Sequence, residues 1–86
     1  MADETSEEIA QHFSAMGDSV NLINATIADD TESLAVYGSA AEVKLMITRN
    51  TSHLEIQIAK DWYAESSVTK TSYTDAVTAG KAYVAG

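Results

Sequence analysis

The first third of the chain carries apolar residues at alternating intervals of four and three, and this pattern predicts a long helix. Its members are Ile9, Phe13, Met16, Val20, Ile23 and Ile27. Residues at these spacings line one face of an α-helix, close to the arrangement found where helices pack lengthwise. Thr5 and Glu8 have the spacing of a capping box, so we expect the helix to begin there and to end near Ala28. Its apolar face needs another helix to cover it, from this chain or from a second copy.

A second long helix is predicted over residues 40–63. Its packing positions repeat the same spacing: Val43, Ile47, Asn50, Leu54, Ile58 and Trp62. Ser39 and Glu42 again have the capping-box spacing, and Gly38 before them interrupts a short helical segment. We therefore expect either one long helix kinked at Gly38 or a short helix followed by a long one.

Asn50 is the polar member of this second set. If the helix buries it, its amide needs a partner and can fix the register or the oligomeric state. If the helix is rotated slightly, the amide stays in water.

The same segment also fits a β-hairpin. Val43, Leu45 and Ile47 fall at alternate positions, and so do Leu54, Ile56 and Ile58, with a polar stretch, residues 49–52, between the two runs. Two such runs around a turn would make the protein α+β, with a hairpin at residues 43–59. The Ser39 cap and the alanine-rich start favour the helix.

The C-terminal part predicts a shorter last helix after a polar loop. Tyr73, Val77, Gly80 and Val84 fall on one side of it. We therefore predict an all-α fold, a small antiparallel three-helix bundle. Residues 1–4 are expected to form a disordered tail, and residues 5–86 a single helical domain.

Composition limits how such a domain can be stabilised. A chain of 86 residues has a thin core. Cysteine is absent, which excludes disulfides and thiolate zinc sites. Small domains often rely on self-association instead. The acidic N-terminus is unlike a signal peptide, and no apolar run has the length of a membrane span, so we expect a soluble protein without membrane contact.

Charge is distributed unevenly along the chain. The formal net charge is −8, and nine of the 13 acidic residues lie before Val43, where there is no Lys or Arg. Such a surface repels nucleic acid and anionic membranes, so we expect no direct nucleic-acid binding. It suits solubility, or contact with a basic partner.

The residues that could support chemistry do not form a pattern. His53 and Glu55, with Asp61 nearby, are spaced so that on a helix they point to different sides and do not converge on a metal. His12 lies beside the apolar face rather than on it. We expect no enzymatic activity, no cofactor and no metal.

Three short segments in the C-terminal half resemble small uncharacterised proteins of marine tailed phages, cyanophages among them. The segments are residues 49–55, residues 59–63 and residues 79–83. This resemblance implies a setting, the cytoplasm of an infected host cell or a virion. No activity is known for the family, so no residue gains a role from it.

Two functions fit these observations. The first is a small acidic helical structural or interaction protein, a phage virion or assembly component that self-associates through its packed helical surface. The second is an acidic inhibitor that occupies the basic, nucleic-acid-binding groove of a host protein. The expected partner is accordingly another copy of the chain or another protein.

Overall fold

The computed structural model describes residues 4–86, and all regular structure in this part of the chain is helical. Five helices follow one another: α1 (Ser6–Ala28), α2 (Thr31–Tyr37), α3 (Ala40–Ile58), α4 (Asp61–Glu65) and α5 (Thr71–Ala85). The all-α prediction is confirmed. The alternative hairpin at residues 43–59 is wrong, because nearly all of this segment lies within α3 and buries one helical face. Of the predicted tail, residues 1–3 lie outside the described residues, and Glu4 is not helical.

Local sequence explains where α1 begins. The backbone N–H of Glu8 donates to Thr5 Oγ1 at 3.1 Å, and the N–H of Thr5 donates to Glu8 Oε1 at 3.0 Å. This reciprocal capping box satisfies two backbone donors that a helix start leaves unpaired. The helix then continues through Gly17 without a break and ends at Ala28, as the spacing predicts.

Gly38 separates α2 from α3. Its φ of 89° lies in the left-handed region, which glycine adopts without steric cost, and its N–H bonds to the Leu34 carbonyl as α2 ends. Ser39 Oγ then accepts from the backbone N–H of Glu42 at 3.2 Å and caps α3. Of the two predicted arrangements, the short helix followed by a long one is therefore the observed one.

The predicted helix over residues 40–63 is too long. α3 ends at Ile58, and Lys60 adopts an extended conformation with ψ of 148° before α4 begins. Trp62 consequently lies on α4 and approaches the core from a different direction than the α3 residues. The break turns both Trp62 and Tyr63 inward, where both are buried.

The three long helices each pack against the other two. Phe13 of α1 lies against Trp62, next to the end of α3, while Ser19 meets Asn50 in its middle, so α1 and α3 run in opposite directions. Phe13 also packs on Tyr73 near the start of α5, and Asp30 after α1 accepts from Tyr83 near its end. α1 and α5 therefore run in the same direction.

Aromatic residues close only one end of this arrangement. Phe13 packs edge-to-face on Trp62 at 5.3 Å between ring centroids, and Tyr63 and Tyr73 complete the cluster. Tyr83 lies at the opposite end. Burial, and then the Asp30 carboxylate that its hydroxyl contacts, raise the pKa of Tyr83.

Candidate interaction surface

Most of the predicted packing residues lie in the hydrophobic core. Those that are buried are Met16, Val20, Ile23, Val43, Ile47, Leu54 and Trp62. Ile9, Phe13 and Ile58 are half-buried and pack against the same core. The apolar face of α1 is therefore covered within one chain, over most of its length, by α3, α4 and α5.

Ile27 is the predicted packing residue that departs from this arrangement, because 40% of its surface is exposed. Thr26 is buried in its place, and its hydroxyl lies 3.0 Å from that of Ser33 in α2. The chain turns into α2 just after this point. The inner side of the last turn of α1 is consequently centred on Thr26, and Ile27 falls beside it.

Several buried residues were not in the predicted set. They are Ser19, Thr26, Met46, Thr51 and Tyr63. Spacing could have found some of them, since Ser19 and Thr26 each follow a buried apolar residue by three positions, and Thr51 lies between Ile47 and Leu54. The polar side chains of Ser19, Thr26 and Thr51 hid the signal at these three positions.

α3 and α5 pack closely at Gly80. A Cβ atom added to Gly80 would overlap the hydroxyl of Thr51 and touch the side chain of Ile47. Thr51 Oγ1 is buried and has no hydrogen-bond partner among the described residues. This crossing is therefore set by shape, with a small residue on one helix facing side chains on the other.

The contact between α1 and α3 is polar instead. Ser19 is buried, and its hydroxyl oxygen lies 2.9 Å from Asn50 Oδ1 and 2.9 Å from His53 Nδ1. Asn50 Nδ2 donates to the Met46 carbonyl at 2.9 Å, which orients the amide with its oxygen toward Ser19. Asn50 is thus half-buried and paired across the two helices.

This network assigns the protons on Ser19 and His53. Asn50 Oδ1 can only accept, so the Ser19 hydroxyl donates its single proton there. His53 Nδ1 must then carry a proton and donate to the Ser19 oxygen. A serine that donates to an amide is not activated as a nucleophile, since activation needs a base to take its proton. The three residues hold α1 and α3 in register.

An open groove of about 910 Å³ lies where α4 meets the start of α1. Trp62 lines it, and His12 stacks on the Trp62 ring at 4.8 Å while its Nε2 lies 3.2 Å from Glu4 Oε1. Lys60 and Glu65 bring opposite charges to the rim.

The outward side of α3 carries a second set of residues at regular helical spacing. We call it the outer stripe, and its members are Glu42, Leu45, Arg49, Ser52 and Ile56 on α3 and Ala59 directly after its end. All are exposed, including the two large apolar ones, Leu45 at 41% and Ile56 at 60%. Leu22 on α1 is a further exposed apolar residue, at 38%. Isolated exposed apolar residues are common, but two on one helical stripe mark a candidate contact surface.

Comparison with known proteins adds no assignment: no protein-family model matches the chain, and no curated protein or solved structure is similar to it. Within residues 4–86, no helix is both long and apolar enough to cross a membrane. The same residues contain no group of three His, Asp or Glu side chains placed to hold a metal ion.

Proposed function

We propose that this chain is a non-catalytic helical interaction protein that associates with further copies of itself through the outer stripe of α3. The observation that carries the proposal is the exposure of Leu45 and Ile56 on one face of a helix whose opposite face packs into the core, with Val43, Ile47 and Leu54 buried. Burial of apolar area is the main driving force for such association. The regular spacing suits a second helix laid along α3.

The three long helices supply a scaffold for that surface. We infer that they act as an antiparallel three-helix bundle, in which α2 and α4 are connecting elements. The register set by Ser19 and Asn50 and the close contact at Gly80 hold α3 in place from two sides. A contact surface on a helix fixed in this way loses little entropy when it binds.

The setting we propose is a phage particle or its assembly in an infected bacterial cell. Its support is the resemblance of residues 49–55, 59–63 and 79–83 to small proteins of marine tailed phages. Residues 49–55 include two members of the outer stripe, Arg49 and Ser52, so the resembling segment and the proposed contact surface overlap along α3.

Light scattering coupled to size-exclusion chromatography tests the proposal. A stripe of this size makes a small interface, so the full chain should be measured from about 5 to about 500 µM. We expect the mass to rise from 9.2 kDa toward a defined multiple as concentration increases. A double variant, Leu45→Ser with Ile56→Ser, should stay monomeric over the same range.

Val36→Ser is the matched control, because Val36 on α2 is also an exposed apolar residue but lies outside the stripe. This variant should associate as the natural chain does. A mass of 9.2 kDa at every concentration would contradict self-association. Association of the double variant at natural strength would show that another surface is used.

The second candidate function, an acidic inhibitor of a basic nucleic-acid-binding protein, is favoured by one observation. The outward side of α1 carries exposed acidic residues, among them Glu7 and Asp18, and no Lys or Arg precedes Lys44. Binding to a basic groove would weaken steeply as salt rises, since exposed charges are screened. Self-association through the outer stripe should persist at high salt, because copies that each carry −8 repel one another less there.

A further inference from the structure

The outer stripe is symmetric in its spacing and in the placement of its two large apolar residues. Its members follow at spacings of three, four, three, four and three, so the stripe has the same spacing from either end. Leu45 and Ile56 are placed symmetrically about its middle, and Arg49 and Ser52 lie between them. A two-fold axis through this middle would set each apolar residue of one copy against an apolar residue of the other. Closed dimers use such self-complementary surfaces.

Charge distinguishes the two ways in which a pair of α3 helices can align. In a parallel, in-register pair, Arg49 would meet Arg49 of the other copy and Glu42 would meet Glu42. Like charges at the same level disfavour that pairing. In an antiparallel pair, Arg49 lies opposite Ser52, and Glu42 lies opposite Ala59, so no like charges face each other.

α1 adds a complementary charge to the antiparallel arrangement. Because Ser19 bonds Asn50 and His53, its neighbour Asp18 lies near the level of Ser52 along α3. Rotation about the middle of the stripe brings Asp18 of the second copy to the level of Arg49. Asp18 and Arg49 are both exposed, and neither has an ion-pair partner among the described residues.

We propose that two copies of this chain pair through α3 in an antiparallel, two-fold arrangement, with Leu45 of each against Ile56 of the other. The inference rests on the proposed self-association and adds its geometry. The leucine and isoleucine side chains fill the two ends of the contact, and Arg49 and Ser52 occupy its centre.

Cysteine cross-linking tests the geometry directly, because the natural chain has no cysteine. Two full-length single variants, Leu45→Cys and Ile56→Cys, are oxidised mildly, each alone and then as an equimolar mixture. In the antiparallel pair, position 45 faces position 56, whereas two copies of position 45 stand about 16 Å apart along the axis, which is beyond disulfide reach. We expect disulfide-linked dimer in the mixture at least ~10-fold above either variant alone, as the reach limit implies.

Trypsin separates positions 45 and 56, since Arg49 lies between them, so mass spectrometry can identify the mixed disulfide. Val36→Cys mixed with either variant is the control and should give no excess dimer. Circular dichroism of each variant confirms that the helices are intact.

The outcomes separate this inference from the proposed function. If Leu45→Cys alone cross-links as well as the mixture does, the pairing is not antiparallel and the inference is overturned. Lack of cross-linking in a chain that associates by light scattering overturns it as well and leaves the self-association standing. A natural chain that is monomeric at every concentration overturns both.

Discussion

The two faces of α3 are built from similar residues and have opposite surroundings. On the inner face, Val43, Ile47 and Leu54 have no exposed surface. On the outer face, Leu45 and Ile56 differ little from them in size and hydrophobicity, yet about half of each side chain is exposed. Size and apolarity alone therefore do not decide which residues enter the core.

The difference shows which apolar surface of α3 stays exposed after folding. In the folded chain, one face of each long helix packs into the core. The apolar face of α1 was a candidate for contact with a second copy, but most of it is buried within the chain. Any contact with another molecule must depend on what remains, and the outer stripe is the most regular remaining apolar feature. If the two faces differ in energy as they do in burial, substitutions on the inner face should destabilise the chain far more than substitutions on the outer face.

Removing one large side chain from each face of α3 should give the largest difference in the free energy of unfolding. Leu54→Ala leaves a cavity in the core and should lower the free energy of unfolding by about 2–5 kcal/mol. Ile56→Ala removes a side chain that is 60% exposed and should change it by less than about 0.5 kcal/mol. Urea denaturation of dilute protein measures both. Equal losses would show that the outer face also contributes to the stability of the single chain.

Adding a methyl group at two glycines should move stability in opposite directions. Gly80→Ala forces a Cβ against Thr51 on the inner side of α3 and should cost about 1–3 kcal/mol. Gly17→Ala lies in a helix with nothing within 4 Å of the new atom and should gain about 0.5–1 kcal/mol. Thermal unfolding followed by circular dichroism compares them. A neutral Gly80→Ala would mean that α5 can move away from α3.

The polar edge of the inner face should respond to loss of Asn50. Asn50→Ala removes the acceptor for the buried Ser19 hydroxyl and should cost about 1–2 kcal/mol. Arg49→Ala, one position away on the outer stripe, is the control and should stay within about 0.5 kcal/mol. If Asn50→Leu proves as stable as the natural chain, the network adds no net stability and serves to specify register. Two-dimensional NMR of this variant should then show more than one conformation.

The smallest effect concerns the start of α1, away from both faces of α3. Thr5→Ala removes the helix cap and should cost about 1 kcal/mol at neutral pH. Hydrogen bonds from the backbone and side chain of Thr5 lower the pKa of Glu8, so Glu8 stabilises the fold above its ordinary pKa and this contribution is lost as the pH falls through the lowered value. The difference in the free energy of unfolding between the natural chain and Thr5→Ala should therefore become smaller in acid. A difference that is constant with pH would exclude the contribution of Glu8.

Much of the fold follows from spacing and capping residues alone. The start of α1 at Thr5, its end at Ala28 and the capping of α3 by Ser39 are local properties and are observed as predicted. The end of α3 is not local in this sense. Nothing in the spacing of Ile58 and Trp62 reveals the break between them, which allows the aromatic side chains to reach Phe13 on another helix.

The candidate surface was harder to predict than the core. Leu45 and Ile56 occur in the sequence as parts of an alternating strand-like pattern, which distracts from their helical relationship. Only once residues 40–58 form one helix do the two residues fall on one stripe, and only the positions of α1 and α5 leave that stripe uncovered.

Capping and periodicity act between residues a few positions apart, so they are enough to predict the helical class, the starts of α1 and α3 and most of the core. Tertiary structure alone decided the partner of Asn50, the exposure of Ile27, the close approach at Gly80 and the open side of α3. These depend on contacts between residues far apart in the chain, and their outcome is set by which helix faces which after packing. A periodic pattern predicts that one face of a helix is buried, and only the tertiary structure shows which residues bury it.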